Sequence, residues 1–185
     1  MRTGLMAIVA AIAMAVTGCS STGGSSTAAA PPAGASTHNQ ADVKFAQDMI
    51  PHHQQTIQMA DLATQQATGQ EVKIVAASVL SAEEKEIQTM KGWLSQWGAS
   101  QPDAAAHGGH DMPGMISTTD MKALQAMSGA AFDKKWLEMI QKHLESGVTM
   151  SKTLLAEGQN PNAKAMATEI IENQEAKIKE VKALG

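Results

Sequence analysis

The sequence predicts an all-α protein whose folded part is an up-down four-helix bundle, made of two repeated helical hairpins with a short extra helix in the central connection. Three observations support this prediction. Helix-favouring residues dominate after residue 40, while aromatic residues make up only 3% of the chain. Apolar residues recur at helical spacing in four long segments. Residues 45–93 also align without a gap with residues 136–184, at an offset of 91, which is typical of a duplicated unit.

The N-terminal segment has the pattern of an export signal. Arg2 precedes an apolar run over residues 5–16, which is too short to span a bilayer comfortably. The Val-Thr-Gly-Cys that follows resembles a bacterial lipobox, in which small residues precede a cysteine that is lipidated and becomes the new N-terminus. We therefore predict a lipoprotein signal peptide over residues 1–18, and a protein anchored through Cys19 to the bacterial cell membrane, facing the periplasm or extracytoplasmic space. The alternative is an ordinary secretory signal with an incidental cysteine.

The predicted domain boundaries follow from composition. Residues 19–40 contain the cysteine and then serine, threonine, glycine, alanine and proline, which cannot form a core, so we predict a flexible tether. The bundle domain covers residues 41–185. It divides into repeat one at 41–98, a loop and short helix at 99–129, and repeat two at 130–185.

The first hairpin brings histidines and glutamates together. Its first helix runs from about residue 41 to 67, and His53 lies in the middle of its apolar ridge. Its second helix spans about 71–97, with Glu83 as the one charged residue on the ridge. A short turn would fold the second helix back along the first, so Glu83 and Glu86 should flank the adjacent histidines.

The Pro51-His52-His53 triplet breaks two local rules at once. A proline in a helix interior removes a backbone hydrogen bond, and two imidazoles on an apolar ridge cost free energy unless their nitrogens find partners. Such violations occur most often at functional sites. We therefore expect the site to lie at this triplet.

The rest of the chain supplies the second hairpin. A loop at 99–116 and a short helix at about 118–128 lead to long helices at about 131–157 and 161–184. The predicted N-caps of three of the helices are Asn39, Ser117 and Asn160.

The repeat distinguishes the two adjacent histidines, because His52 corresponds to His143 whereas His53 corresponds to Leu144. His52 and His143 each have a methionine about one turn before and another seven residues after them. Imidazole with thioether and no cysteine indicates copper, above all Cu(I), because thioethers select soft ions; zinc is a second candidate. The predicted helical ligands are His52, His53, His143, Met49, Met59, Met139 and Met150.

The central loop repeats the same chemistry. It carries two histidines and two methionines on a glycine-rich segment, which could wrap around an ion without much strain. We predict a second candidate copper site there, with a solvated linker as the alternative. Its ligands would be His107, His110, Met112 and Met115.

Other functions fit less well. Arg2 is the only arginine and the formal net charge is −4, so the chain lacks the basic patch of a nucleic-acid-binding protein. No activated nucleophile stands out, and the Glu-x-x-His motif of di-iron carboxylate enzymes is absent, so we predict that the protein is not an enzyme. Two alternatives stay open: a cell-envelope interaction module with structural histidines, and a di-metal redox enzyme. The methionines at helical spacing could equally be core residues.

Several segments resemble one protein family. Residues 45–60, with the sequence Phe-Ala-Gln-Asp-Met-Ile-Pro-His-His-Gln-Gln-Thr-Ile-Gln-Met-Ala, resemble the repeated His-His motif of the family catalogued as domain of unknown function 305. Residues 115–150 resemble its second half, through Gly-Ala-Ala-Phe-Asp at 129–133 and Trp-Leu-Glu-Met at 136–139. The resemblance covers about residues 43–184. It implies an exported or lipid-anchored protein with a ferritin-like bundle, and some members bind copper or silver and contribute to copper tolerance.

The resemblance also implies roles for single residues. The first His-His falls on His52 and His53, but the second falls on His143 and Leu144, so one expected histidine is missing. The family's second-helix glutamine falls on Gln174 in repeat two and on Glu83 in repeat one, and the glutamate after it falls on Glu86 in repeat one. We expect Glu83, Glu86 and Gln174 to orient the ligands, and a copper-handling protein to be a candidate partner.

Overall fold

The computed structural model describes residues 37–102 and 114–185. These residues form five α-helices and no strand, which confirms the all-helical prediction. The predicted signal peptide, Cys19, nearly all of the tether and the loop residues His107, His110 and Met112 lie outside the described residues. Within the described ranges, no helix is long and apolar enough to cross a membrane. The helices are α1 (Gln40–Gln66), α2 (Gln70–Gln96), α3 (Thr118–Gln125), α4 (Gly129–Glu157) and α5 (Pro161–Leu184).

The three predicted N-caps are confirmed. Asn39 accepts hydrogen bonds from the backbone N–H groups of residues 41 and 42 and forms a capping box with Asp42. Ser117 accepts from the N–H of Asp120, and Asn160 accepts from the N–H of Ala163 before a proline in the first turn. These side chains satisfy backbone donors that have no partner within the helix, and so fix where each helix begins.

The four long helices pack around the core. Helix α1 packs against α2 and α4, and α5 packs against α4 and α2. One hydrophobic cluster surrounds Trp136 and Phe132, and the other surrounds Phe45 and Leu94. The ferritin-like up-down order of the bundle remains a prediction.

Helix α1 buries more of its surface than the sequence indicated. Besides the ridge through His53, the adjacent strip with Phe45, His52 and Met59 is fully buried, because α1 contacts two long helices. Thr64 has the helical spacing of the ridge through His53 and was predicted to belong to it, but it is exposed, and its hydroxyl donates to the carbonyl of Asp61. The helix continues through Pro51.

Two carboxylates make equivalent contacts in the two halves. Asp42, near the start of α1, accepts hydrogen bonds at 3.1–3.2 Å from the backbone N–H groups of Gln159 and Asn160, in the α4–α5 turn. Asp133, near the start of α4, accepts from the N–H groups of Thr68 and Gly69 at 3.0 and 2.7 Å, in the α1–α2 turn. The donors and acceptors of both contacts are related by the same offset as the predicted repeat. Each half therefore caps the turn of the other.

Candidate metal site

The two histidines that correspond in the repeat meet in the core. The rings of His52 on α1 and His143 on α4 stack with centroids 3.7 Å apart and planes inclined by 9°. The Nε2 of each ring lies 3.1 Å from the backbone carbonyl oxygen of the other residue, at hydrogen-bond distance. A carbonyl oxygen can only accept, so the neutral ring of His52 carries its proton on Nε2 and its lone pair on Nδ1, whereas both nitrogens of His143 face carbonyl oxygens and its neutral ring can donate to only one of them at a time. The reciprocal bonds relate residues 91 positions apart.

Both rings of this pair are held neutral. Burial is the main cause that lowers the pKa of His143 to about 4. Burial, followed by the neighbouring His143 and His53, lowers the pKa of His52 well below its usual value. Neutral imidazole is the form that binds a metal ion. The pair is therefore in a metal-binding protonation state at neutral pH.

The two Nδ1 atoms differ in their surroundings. That of His143 lies 3.2 Å from the carbonyl oxygen of Gly114. That of His52 is buried and has no hydrogen-bond partner among the described residues. A buried polar atom without a partner costs about 1–3 kcal/mol. His52 is therefore the member of the pair with a nitrogen available to a ligand.

His52 lines a cavity of about 290 Å³ between α1 and α4. Two methionines line the same cavity: Met150 on α4, and Met115 in the connection that leads to α3. Both are partly exposed, unlike the core methionines. One histidine and two methionines thus border one space.

His53 belongs to a different polar cluster. Its Nε2 donates to a carboxylate oxygen of Glu86 at 2.6 Å, and Glu83 lies nearby and is hydrogen-bonded to Thr56. Burial by itself would lower the pKa of His53, but the two carboxylates outweigh it and raise the pKa. Burial raises the pKa of Glu83 to about 7, against the opposing effect of His53. Glu83 and Glu86 thus lie beside His53, as predicted, whereas His52 stacks on His143 instead.

A second cavity, of about 320 Å³, lies between α2 and α5. It is lined by Glu83, Glu86, Gln174 and Lys177, and by Leu144 from α4. Buried oxygens of Glu83 and Gln174 and the Nδ1 of His53 have no hydrogen-bond partner among the described residues. The polar groups of the first half thus face an amide and an ammonium of the second half across this cavity.

The remaining predicted ligands lie elsewhere. Met49, Met59 and Met139 are buried in the hydrophobic clusters and line neither cavity. Of the predicted loop ligands, Met115 lies among the described residues and borders the cavity with His52. In residues 37–102 and 114–185, no three histidine, cysteine, aspartate or glutamate side chains meet in a metal-binding group.

One contact at the site was not foreseen from the sequence. The side-chain amide of Gln55 donates to the carbonyl of Ile116 at 2.8 Å and accepts from its N–H at 2.7 Å. The partners are 61 positions apart, so helical periodicity gives no signal of this contact. Gln55 lies two positions after His53, and only its position in the motif could have drawn attention to it.

The fold and site define an all-helical protein with a buried histidine pair on two of its long helices. The chain belongs to the family described as domain of unknown function, DUF305, whose model matches residues 42–184. The family resemblance seen in the sequence is thereby confirmed. Comparison with curated proteins gives no significant match.

Solved structures of the family share the fold. A DUF305 protein from Streptomyces coelicolor, described as secreted, has 28% identity and a TM-score of 0.70, with 78% of this chain and 91% of that chain covered. CopM in its Cu(II)-bound form has 33% identity and a TM-score of 0.67, with 77% and 94% covered. CopM in its Cu(I)-bound form has 30% identity and a TM-score of 0.65, with the same coverage. CopM has also been solved with silver bound.

Proposed function

We propose that this protein is an extracytoplasmic, lipid-anchored metal-binding protein that binds Cu(I) and buffers it or passes it on to a copper-handling partner, without catalysis. The observation that carries the proposal is the cavity shared by His52, Met115 and Met150, together with the Nδ1 of His52, which has no hydrogen-bond partner among the described residues. The solved copper and silver complexes of CopM, at about 30% identity, support it. His/Met coordination is our assignment for this chain.

The donor set favours Cu(I) over the other candidate ions. Thioethers bind soft ions, so two methionines with one imidazole suit Cu(I) or silver, whereas zinc and Cu(II) prefer nitrogen and oxygen ligands. His52 would supply Nδ1 while its Nε2–H stays bonded to the carbonyl of His143. His143 would then orient His52 rather than bind the ion, because its own Nδ1 lies against the Gly114 carbonyl.

The repeat provides a matched pair of variants for the test. Met150 lines the cavity, whereas its counterpart Met59 is fully buried in the core. We expect Met150→Leu to weaken Cu(I) binding at least about tenfold, or about 1.4 kcal/mol, and Met59→Leu to leave it unchanged. Leu for Met conserves volume, so both variants should fold. The measurement is anaerobic competition for Cu(I) with a chromophoric chelator, in a background with His107, His110 and Met112 replaced by alanine.

A third variant tests the nitrogen ligand. His52→Gln keeps an N–H for the His143 carbonyl but removes the free imidazole nitrogen, so it should weaken Cu(I) binding at least as much as Met150→Leu. If all three variants bind Cu(I) like the wild type, the helical site is wrong. A ligand that binds the folded state must raise its melting temperature. If added Cu(I) does not raise the melting temperature of the wild type, the interaction-module alternative is favoured.

We also propose that the protein is exported and anchored through Cys19. The order of charge, apolar run and small residues before the cysteine supports this proposal, and so does a relative described as secreted. Expression with a radiolabelled fatty acid should label the wild type in the membrane fraction. Cys19→Ala should remove the label, and its retention on that variant would contradict lipidation at this residue.

A further inference from the structure

The connection before α3 is held at both sides of the histidine pair. On the α1 side, Gln55 makes two hydrogen bonds to the backbone of Ile116, as a neighbouring strand would. On the α4 side, Gly114 lies with its carbonyl 3.2 Å from the Nδ1 of His143. Met115 lies between these two anchored residues. Its backbone is therefore fixed beside the pair from both directions.

Gly114 has no room for a side chain. Its φ is +87°, a left-handed conformation that glycine adopts readily. A Cβ added there would overlap the side chain of Ser146 on α4. Ser146 and Gln55 are equivalent positions of the repeat, since their numbers differ by the 91 residues that relate His52 to His143. Equivalent positions on α1 and α4 thus contact the connection in different ways.

The Gln55 anchor is the stronger of the two in hydrogen bonding. Gln55 is 9% exposed and Ile116 is half-buried, so both bonds between them are partly shielded from water. Each such bond contributes about 0.5–1.5 kcal/mol. Loss of this amide would leave the N–H and carbonyl of Ile116 without their partner and free the connection to move. Met115 would then no longer have one position over the cavity.

We propose that Gln55 is a positioning residue that holds the Met115 thioether at the Cu(I) site. This inference rests on the proposed function, because it assigns Met115 as the third ligand beside His52 and Met150. Met115, which lies outside the long helices, would thus bind the ion. Gln55 would hold Met115 in place without touching the ion itself. Loss of a residue that orients a ligand typically weakens metal binding about 10- to 100-fold.

The test uses four variants in the background without the loop histidines and Met112. They are Gln55→Leu, Met115→Leu, the double variant and, as a control, Gln54→Leu, which changes a neighbouring glutamine that is not fully buried. Cu(I) affinity is measured by anaerobic competition. X-ray absorption at the copper edge counts the sulfur ligands. Gln55→Glu, which keeps the acceptor but loses the donor, replaces Gln55→Leu if that variant does not fold.

The expected results separate positioning from a general structural role. Gln55→Leu should weaken Cu(I) binding about 10- to 100-fold and remove one sulfur from the copper shell, while Gln54→Leu should do neither. The double variant should bind no more weakly than Met115→Leu, because Gln55 acts through Met115. An unchanged sulfur count in Gln55→Leu, or additive losses in the double variant, would overturn the inference and leave the copper site standing. If wild-type binding is insensitive to His52→Gln and Met150→Leu, the proposed function and this inference fail together.

Discussion

The two hairpins have the same backbone plan but keep only some of their inward residues in common. His52 and His143 are both histidines, and each places its Nε2 3.1 Å from the carbonyl oxygen of the other; Asp42 and Asp133 cap opposite turns. In contrast, His53, Glu83 and Glu86 of the first half correspond to Leu144, Gln174 and Lys177 of the second.

This difference separates two kinds of constraint. The retained pairs lie where the halves contact each other, so a change in one residue affects the partner half directly. Five of the six altered positions line the cavity between α2 and α5, where a space separates the two halves. Symmetry is therefore kept where the halves depend on each other and lost where they do not.

Acidification should destabilise the protein through the retained histidine pair. His143 has a folded pKa of about 4 against 6.5 in an unfolded chain. Above pH 6.5 it is neutral in both states. Between pH 6.5 and 4 only the unfolded state takes up the proton, so the free energy of unfolding falls as the pH falls. His143 alone accounts for a loss of about 3 kcal/mol over this window, and the lowered pKa of His52 acts in the same direction.

The His53 cluster should change the free energy of unfolding in the opposite direction, so the effect of His143 has to be isolated by comparing variants. The pKa of Glu83 is raised to about 7 and that of His53 is also raised, so the contribution of these two groups to stability is lost as the pH rises. We therefore expect His143→Gln, measured against wild type by urea unfolding of metal-free protein, to gain about 3 kcal/mol in relative stability as pH falls from 6.5 to 4. His53→Gln serves as the control and should not show this relative gain. A His143→Gln difference that is constant with pH would contradict the assignment.

The reciprocal caps should differ in strength. Asp42 is fully buried, so Asp42→Ala leaves the buried N–H of Asn160 without its acceptor, and we expect a loss of about 2–3 kcal/mol. Asp133 is partly exposed, so water can replace its carboxylate, and Asp133→Ala should cost about 1 kcal/mol. Urea unfolding near neutral pH measures both. Equal losses would show that burial does not distinguish the two caps.

Restoring the missing histidine should be unfavourable unless its partners are restored too. Leu144 is 1% exposed and borders Gln174 and Lys177. Leu144→His would bury an imidazole without a carboxylate, at a cost of about 2 kcal/mol. Adding Gln174→Glu and Lys177→Glu recreates the acidic pair of the first half and should recover at least half of the loss, as measured by urea unfolding. A triple variant no more stable than the single one would show that the first-half cluster depends on more than these residues.

Helical periodicity and capping chemistry were sufficient to predict the helices and most of the first-half cluster. The predicted ridge of α2 is buried throughout, because one face of that helix meets the core; its members are Val72, Ala76, Val79, Glu83, Ile87, Met90 and Leu94. Counting from the short α1–α2 turn placed Glu83 and Glu86 on either side of the level of His53, and the side chains of His53 and Glu86 are 2.6 Å apart. Both predictions depend on contacts within one hairpin, where chain distance and spatial distance are linked.

Contacts between the halves were harder to predict. The aligned span began at residue 45, three residues after Asp42, so the reciprocal caps were missed although the same offset relates them. Cavity lining was not predictable either, since Met59 and Met150 have the same spacing from their histidines and only packing places one in the core and the other beside His52. Gln55 binds the connection, whose path no periodicity specifies.

The smallest expected effect concerns the outer surface of the hairpins. In the second half, Lys152 on α4 pairs with Glu175 on α5 at 2.9 Å. The corresponding positions of the first half are Asp61 and Glu84, both exposed and both acidic. Asp61→Lys would convert a like-charge pair into an opposite-charge pair across α1 and α2, and should stabilise the protein by about 0.5 kcal/mol or less.

Asp61→Ala is the control, since it removes the repulsion without adding attraction and should gain less. Because both groups are in water, the gain of Asp61→Lys in urea unfolding should disappear in about 1 M salt, where the Debye length is about 3 Å. A gain that persists there would have to come from packing of the lysine stem, and the charge comparison between the two halves would be wrong.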